Sequence, residues 1–376
     1  EIEPIRTNSE DEKRIILEVR DSKIERLLIG AVVTEDVALR KGADVLVPKN
    51  GKVLVAGGVG LDTAALHDPA ANTWSPTGNN MATARSRHAM VTLVNGQVLA
   101  VGGQEDPIGS ADIYDPPTDR WAGAGSLGSA RWNLTATLLP CGEVLEAGGE
   151  VSSGVAVTAA ARFNPRRGQW VPTGVMGVPR TRHTATLLKD GRVLVTGGFD
   201  GTAAVATAET YDPATGAWSP TSGAMSIARR DHTATLLPSG KVLVTGGLGG
   251  GTTADVFDPA TGVFTPTGST TYAHDTGSTV TLLPNGRVLA VGGWNSLRKA
   301  EVYDPAAGAW SVLPPTAVER NEHVAALLPD GRVLEKHQAV RLPEFPFPGR
   351  KAPGITSQAG PEELAGLPGH GLEMDA

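Results

Sequence analysis

Residues 183–218 read HTATLLKDGRVLVTGGFDGTAAVATAETYDPATGAW, and the fold follows from how this stretch is punctuated. His183 to Leu188 is rich in β-branched residues and suits a strand. Lys189-Asp190-Gly191 is a tight turn in which glycine supplies the positive φ. Arg192 to Thr196 returns as a second strand, and Gly197-Gly198 ends it. A variable loop leads to a third strand, Glu209-Thr210-Tyr211. Asp212 to Gly216 turns again, and Ala217-Trp218 begins a fourth. The unit is therefore four short antiparallel strands, with no helical period anywhere in it.

The same unit recurs along the chain. Gly-Gly ends an apolar run at Gly57, Gly102, Gly148, Gly197, Gly246 and Gly292, in steps of 45, 46, 49, 49 and 46 residues. A turn with an aromatic or His in front follows each pair, as at His67-Asp68-Pro69, Tyr114-Asp115-Pro116 and Tyr303-Asp304-Pro305. An aromatic then closes each unit: Trp74, Trp121, Trp170, Trp218, Phe264 and Trp310. Four-stranded units repeated at a fixed period are the blades of a β-propeller. The five tryptophans of that series read as core.

These three marks, in order and in phase from about residue 43 to 335, resemble the kelch family in its bacterial form. The resemblance implies an all-β kelch-type propeller of six to seven four-stranded blades, with the first strand of each blade lining a central channel. Blades two to six are complete in sequence. The seventh opens at His323 and turns at Asp330-Gly331, but beyond Glu335 it has no Gly-Gly, Tyr-Asp-Pro or Trp. Seven blades are expected, with N-terminal strands at residues 14–19 and 24–29 closing the ring.

The chain thus reads as an N-terminal segment (1–42), a kelch propeller (43–339) and a flexible Pro/Gly-rich tail (340–376). Residues 28–50 resemble a short piece of the bacterial RNA polymerase largest subunit. That subunit's metal-binding Asp cluster and zinc cysteines are absent, so no polymerase function carries over.

Composition narrows the function. The 376 residues carry a formal net charge of −7 and form no Lys/Arg block, which argues against nucleic acid. No apolar run is long enough to span a membrane. A single cysteine, Cys141 in a hairpin turn, allows no internal disulfide and reads as an incidental thiol. No phosphate loop, zinc motif or Ser-His-Asp order is present, so neither metal nor cofactor is expected.

In an antiparallel blade alternate loops share an end. The lead-in to the first strand and the loop after Gly-Gly therefore open together, and on the family's arrangement they ring the channel mouth. The lead-ins repeat Arg-x-x-His at Arg85, Arg180, Arg229 and Arg320. Arg131 has Leu134 in the His place, and blade six reads Asp275 and Ser278 there. Such arginines suit an acidic ligand. They equally suit pairing with the acids that recur before the third-strand aromatic (Asp112, Glu209, Asp255, Glu301). Repetition in step favours that structural reading.

Binding candidates are then the residues that leave the pattern. In the lead-ins these are Arg87, Trp132, Asn133, Arg182, Arg230, Asp231, Asp275 and Glu322. After the Gly-Gly they are Gln104, Glu105, Glu150, Phe199, Asp200 and Trp294. Exposed Trp and Arg are frequent anchors of binding surfaces. The expected function is a non-catalytic binding or scaffold propeller, monomeric, secreted or at the cell surface, with a protein or glycan partner. The alternative is a carbohydrate-active enzyme of mutarotase type, with its acid and base drawn from Glu150, Asp275, Glu322 or a lead-in His. The copper oxidase of galactose, also a kelch propeller, fits poorly. It needs a Tyr–Cys crosslink, and here only Tyr272 lies outside the repeat.

Overall fold

A computed structural model of the chain describes residues 44–46, 52–68, 71, 73–104, 109–151, 154–316, 319–320, 325–327 and 333–335. The chain divides into two units, residues 1–340 and 341–376, and every described residue lies in the first.

Blade four consists of Thr184–Leu187, Val193–Thr196, Ala208–Asp212 and Ala217–Pro220, hydrogen-bonded in sequence order. Thr184 faces Thr196, and Tyr211 faces Trp218. Five more four-stranded sheets repeat this order, starting from Asp44–Leu46 in blade one and ending at Ala309–Leu313 in blade six. The first strands of successive blades lie side by side, which makes them the inner strands.

The expectation of seven blades is not met. Six blades are four-stranded, and the last repeat contributes only a hairpin, Ala325–Leu327 with Val333–Glu335, among the described residues. The physical reason is in the sequence: after Glu335 nothing supplies the glycine pair, the turn or the aromatic from which the remaining strands are made. The closing strands expected at 14–19 and 24–29, the N-terminal segment to residue 42 and the tail lie outside the described residues.

The second strand of each blade is buried along its whole length. A strand covered on both faces needs a continuous apolar run, and VLVA, VLAV and VLVT supply one. Neighbouring blades share these side chains. Leu145 and Ala147 of blade three pack with Val193, Val195 and Tyr211 of blade four. Each such Val or Leu stabilises the fold by roughly 1.5–3 kcal/mol. The closing aromatics stack at the outer rim, Tyr211 on Trp218 with ring centroids 5.0 Å apart. Of the five tryptophans expected in the core, Trp121 is buried and the other four are half-buried.

The glycine pair holds the blades together. Gly198 N–H donates to Arg229 O of the next blade at 2.9 Å. Equivalent bonds join Gly103 to Arg131 (2.9 Å), Gly149 to Arg180 (2.8 Å) and Gly293 to Arg320 (3.0 Å). The preceding Gly197 sits at φ +58°, and a Cβ there would stand 2.6 Å from the same Arg229 O. No other residue type allows so close a backbone approach.

The lead-in arginines complete the joint. Arg180 is fully buried. Its Nη1 donates to Gly197 O (2.9 Å) and Thr207 O (2.8 Å), and its Nη2 pairs with Glu209 at 3.2 Å. Arg85–Asp112 (2.7 Å) and Arg229–Asp255 (3.3 Å) repeat the pair. These arginines staple the lead-in of the first strand to the turn between the second and third strands of their own blade, so the structural reading of the repeated Arg holds and they are not a ligand-facing ring.

Candidate functional site

Two loops of each blade meet at one end. Arg230 pairs with Leu248, Thr181 with Phe199 and Trp132 with Glu150 as isolated antiparallel bridges. Each bridge ties a lead-in residue to the residue after its Gly-Gly. The next lead-in position adopts a left-handed backbone: Arg87 (φ 55°), Asn133 (52°), Arg182 (55°) and Asp231 (53°). This region is uncommon for side chains larger than Asn.

The four residues are linked across blades by their main chain. Asn133 N–H donates to Arg87 O (2.9 Å), Arg182 N–H to Asn133 O (3.1 Å) and Asp231 N–H to Arg182 O (3.0 Å). The result is an arc of backbone over blades two to five. It brings seven predicted residues into one group: Arg87, Asn133, Glu150, Phe199, Arg182, Arg230 and Asp231.

Asn133 Nδ2 donates to Glu150 Oε1 at 2.6 Å. Arg182 lies between two carboxylates, 3.8 Å from Glu150 Oε1 and 3.8 Å from Asp231 Oδ2. Arg230 Nε is 4.0 Å from Asp231 Oδ2, and its guanidinium covers the Phe199 ring at 4.7 Å. Burial pushes the Asp231 carboxyl up, against the pull of Arg182, Arg230 and Arg87.

Other predicted residues stand apart or are excluded. Trp132 is only 8% exposed, because its backbone is paired both ways with Glu150 (3.1 and 2.9 Å) and fixed against the blade. It is not an exposed anchor. Asp200 closes its own turn by accepting from the N–H of Thr202 and Ala203. Gln104 is exposed, and its N–H bonds Ser86 O at 2.9 Å. Glu105 and Glu322 lie outside the described residues.

Blade six differs from the others. The Arg place there is taken by His274, one residue earlier than expected. Its Nδ1 bonds Gly292 O at 2.9 Å and its Nε2 meets Glu301 at 3.1 Å, the same two partners an Arg staple takes. Asp275 is therefore free for another task. It is buried, and it grips Asn295 through the backbone N–H (3.2 Å) and the side-chain amide. Next to that clamp Trp294 is 55% exposed. His274 and Asn295 escaped the sequence reading. The Glu301 acid without its Arg was the available signal.

The lead-in histidines among the described residues, His88, His183 and His232, are buried. His183 Nε2 shares a hydrogen bond with Thr135 of blade three (3.1 Å), and His232 Nε2 with Thr184 of blade four (3.1 Å). Burial, reinforced by Arg85 and Arg229 respectively, pushes His88 and His232 down to about 3. His183 and His232 thus pack between blades on threonines of the neighbouring one.

The Kelch motif profile matches residues 84–128, 179–223 and 279–316. The chain therefore carries kelch motifs on a six-bladed propeller. No protein of curated function matches its sequence. Among solved structures it is similar to a fungal alcohol oxidase with catalytic diversity among the AA5 family, in complex with copper. The TM-score is 0.56 and the identity 20%, over 67% of this chain and 58% of that one. The likeness extends to the fold, over less than two thirds of the oxidase. Copper does not fit the described residues. Among the described residues no three His, Cys, Asp or Glu side chains form a group that could hold a metal. Cys141 is exposed in its turn, and Tyr272 lies under the Lys299 ammonium at 4.7 Å.

Proposed function

We propose that this kelch-motif propeller is a non-catalytic binding module that presents its mouth loops to a protein or glycan partner. In this reading it acts as a monomer, outside the cell or at its surface. One contrast carries the proposal. The staple arginine Arg180 is fully buried and uses its donors on Gly197, Thr207 and Glu209. The mouth arginines Arg87, Arg182 and Arg230 make no side-chain hydrogen bond among the described residues and are part-exposed. A guanidinium with unused donors on a rigid rim is a group kept for something else.

The test is a double variant, Arg182→Ala with Arg230→Ala, compared with the natural chain on a glycan array and in capture from a surface-protein extract. The natural chain is expected to retain a partner that the variant loses, at equal melting temperature. Equal retention by both would remove the mouth as the binding surface.

A second reading, a mutarotase-type enzyme, rests on the paired carboxyls of Glu150 and Asp231, each 3.8 Å from Arg182. Such a pair could hold a proton for transfer. Faster anomeric exchange of a free sugar by NMR, lost in Asp231→Asn, would establish it.

A further inference from the structure

The spacing of charges in the mouth points to the ligand. Arg182 stands 3.8 Å from Glu150 Oε1 and 3.8 Å from Asp231 Oδ2, and Arg230 Nε stands 4.0 Å from the same Asp231 oxygen. A charge-assisted hydrogen bond closes to about 2.7–2.9 Å. Each of these pairs is thus roughly an ångström too long to bond, and too close for its groups to be independent. Arg230 Nε and Asp231 Oδ2 are also buried atoms with no hydrogen-bond partner among the described residues. A buried polar atom left without a partner costs about 1–3 kcal/mol.

The gap selects a chemistry. An oxyanion would bond the arginines but meet Glu150 and Asp231 as like charges. A cation would do the reverse. A hydroxyl does both jobs, since its oxygen accepts from a guanidinium while its proton goes to a carboxylate. Asp231 Oδ2 and Arg230 Nε are themselves closed to solvent, so a ligand hydroxyl meets the part-exposed remainder of the Arg182 guanidinium and the Asp231 carboxyl beside them. The backbone arc continues the alternation, with the Asn133 amide on Glu150 and the Arg87 guanidinium unbonded beyond it. One blade further round, the Asp275–Asn295 clamp holds Trp294 with its ring in the open. The flat apolar face of a sugar ring stacks on such a surface, and the polar handles beside it fix orientation.

We infer that the mouth binds a neutral glycan, with hydroxyl groups of one pyranose bonding the exposed parts of Arg182, Asp231 and Arg230 and a neighbouring sugar stacking on Trp294. This rests on the reading of the mouth as a binding surface and names its ligand class. A peptide ligand is the competing outcome.

The full-length chain would be tested by tryptophan fluorescence and by array against four neutral oligosaccharides: maltoheptaose, cellopentaose, chitopentaose and a galactotetraose. Oligogalacturonate and a poly-glutamate peptide would serve as charged probes. Binding of at least one neutral probe is expected. Asp231→Asn tolerates the left-handed backbone and should weaken binding about tenfold or more, the effect of losing a charged hydrogen bond. Trp294→Ala should abolish the fluorescence response and weaken binding of the longer probes, while Trp294→Phe retains part of it. Unchanged melting temperatures would show that each variant folds.

Three results overturn the inference. One is binding of poly-glutamate or oligogalacturonate in preference to every neutral probe. Another is neutral binding that Asp231→Asn leaves intact. The third is no saccharide binding by a chain that still captures a protein through Arg182 and Arg230. That last result leaves the binding-module reading standing, whereas loss of both activities ends both.

Discussion

Glu146 lies directly across the strand ladder from Ala161. In blades two, four, five and six the position of Ala161 holds the acid of the staple: Asp112, Glu209, Asp255 and Glu301. Blade three has moved that carboxylate one strand inward, to the residue opposite, and Arg131 follows it with an ion pair of 2.8 Å. The move is incomplete. Glu146 Oε1 is buried without a partner among the described residues, and burial pushes the carboxyl up against the pull of Arg131.

The relation predicts a rescue. Glu146→Ala leaves Arg131 buried and uncompensated, and should destabilise the chain by about 3–5 kcal/mol. Adding Ala161→Asp to that variant restores an acid where four other blades carry one, and should recover most of the loss. Urea unfolding of the two single variants and the double variant measures this as a coupling energy. Additive losses would refute the exchange.

Gly197 makes a separate prediction. Gly197→Ala puts a methyl 2.6 Å from Arg229 O at φ +58°, so it carries left-handed strain of about 1–2 kcal/mol plus a backbone clash. Gly201 also has positive φ, at +102° a conformation still less accessible to Ala, but its nearest neighbour would be 3.9 Å away. Gly201→Ala should therefore cost only the strain. Thermal melts of the two variants should differ by several degrees, with Gly197→Ala the lower.

Acid should loosen the joints between blades. An unfolded His binds its proton near pH 6.5, while His88 and His232 resist it in the fold down to about 3. Between those values the unfolded state holds more protons, so stability falls as pH drops, by up to about 1.4 kcal/mol per pH unit for each group. Above 6.5 their contribution is complete. His232→Gln should show a shallower loss between pH 6 and 4 in chemical denaturation. An unchanged slope would contradict the assignment.

Blade six offers a fourth check. The His274 ring lies between Gly292 O and the Glu301 carboxylate, where other blades place a guanidinium. His274→Ala should destabilise by about 1–3 kcal/mol through the lost ring contacts with Gly292 O and Glu301, although Glu301 keeps the N–H bonds from Thr271 and Tyr272. His274→Arg should fold close to normally. If Arg disrupts the blade as Ala does, the two staples are not equivalent.

Most of the architecture was legible because each blade repeats the same physical requirements. Glycine at 197, aromatics at 211 and 218 and the VLVT run each answer a local demand, and their period exposes the blade. The Arg-to-acid pairing was readable for the same reason: Arg180 and Glu209 recur in step. What escaped depends on exchange between positions. Glu146 stands in for an acid missing from the next strand, and His274 for an Arg, and each is visible only once the ladder pairs strands. The mouth was half legible. Arg182, Arg230 and Asp231 stood out by leaving the pattern. Trp132 left it as well, yet its paired backbone and low exposure could not be read from neighbours in sequence.

The arc at residues 87, 133, 182 and 231 is held by main-chain bonds, which do not depend on which side chain stands there. Arg, Asn and Asp already occupy equivalent places without disturbing it. Mutation among residue types that accept a left-handed backbone, Asn and Asp foremost, can therefore draw new combinations at these four sites at little cost to folding. A lineage carrying this ring could change what it recognises faster than it changes shape, and relatives with the same blades need share no ligand.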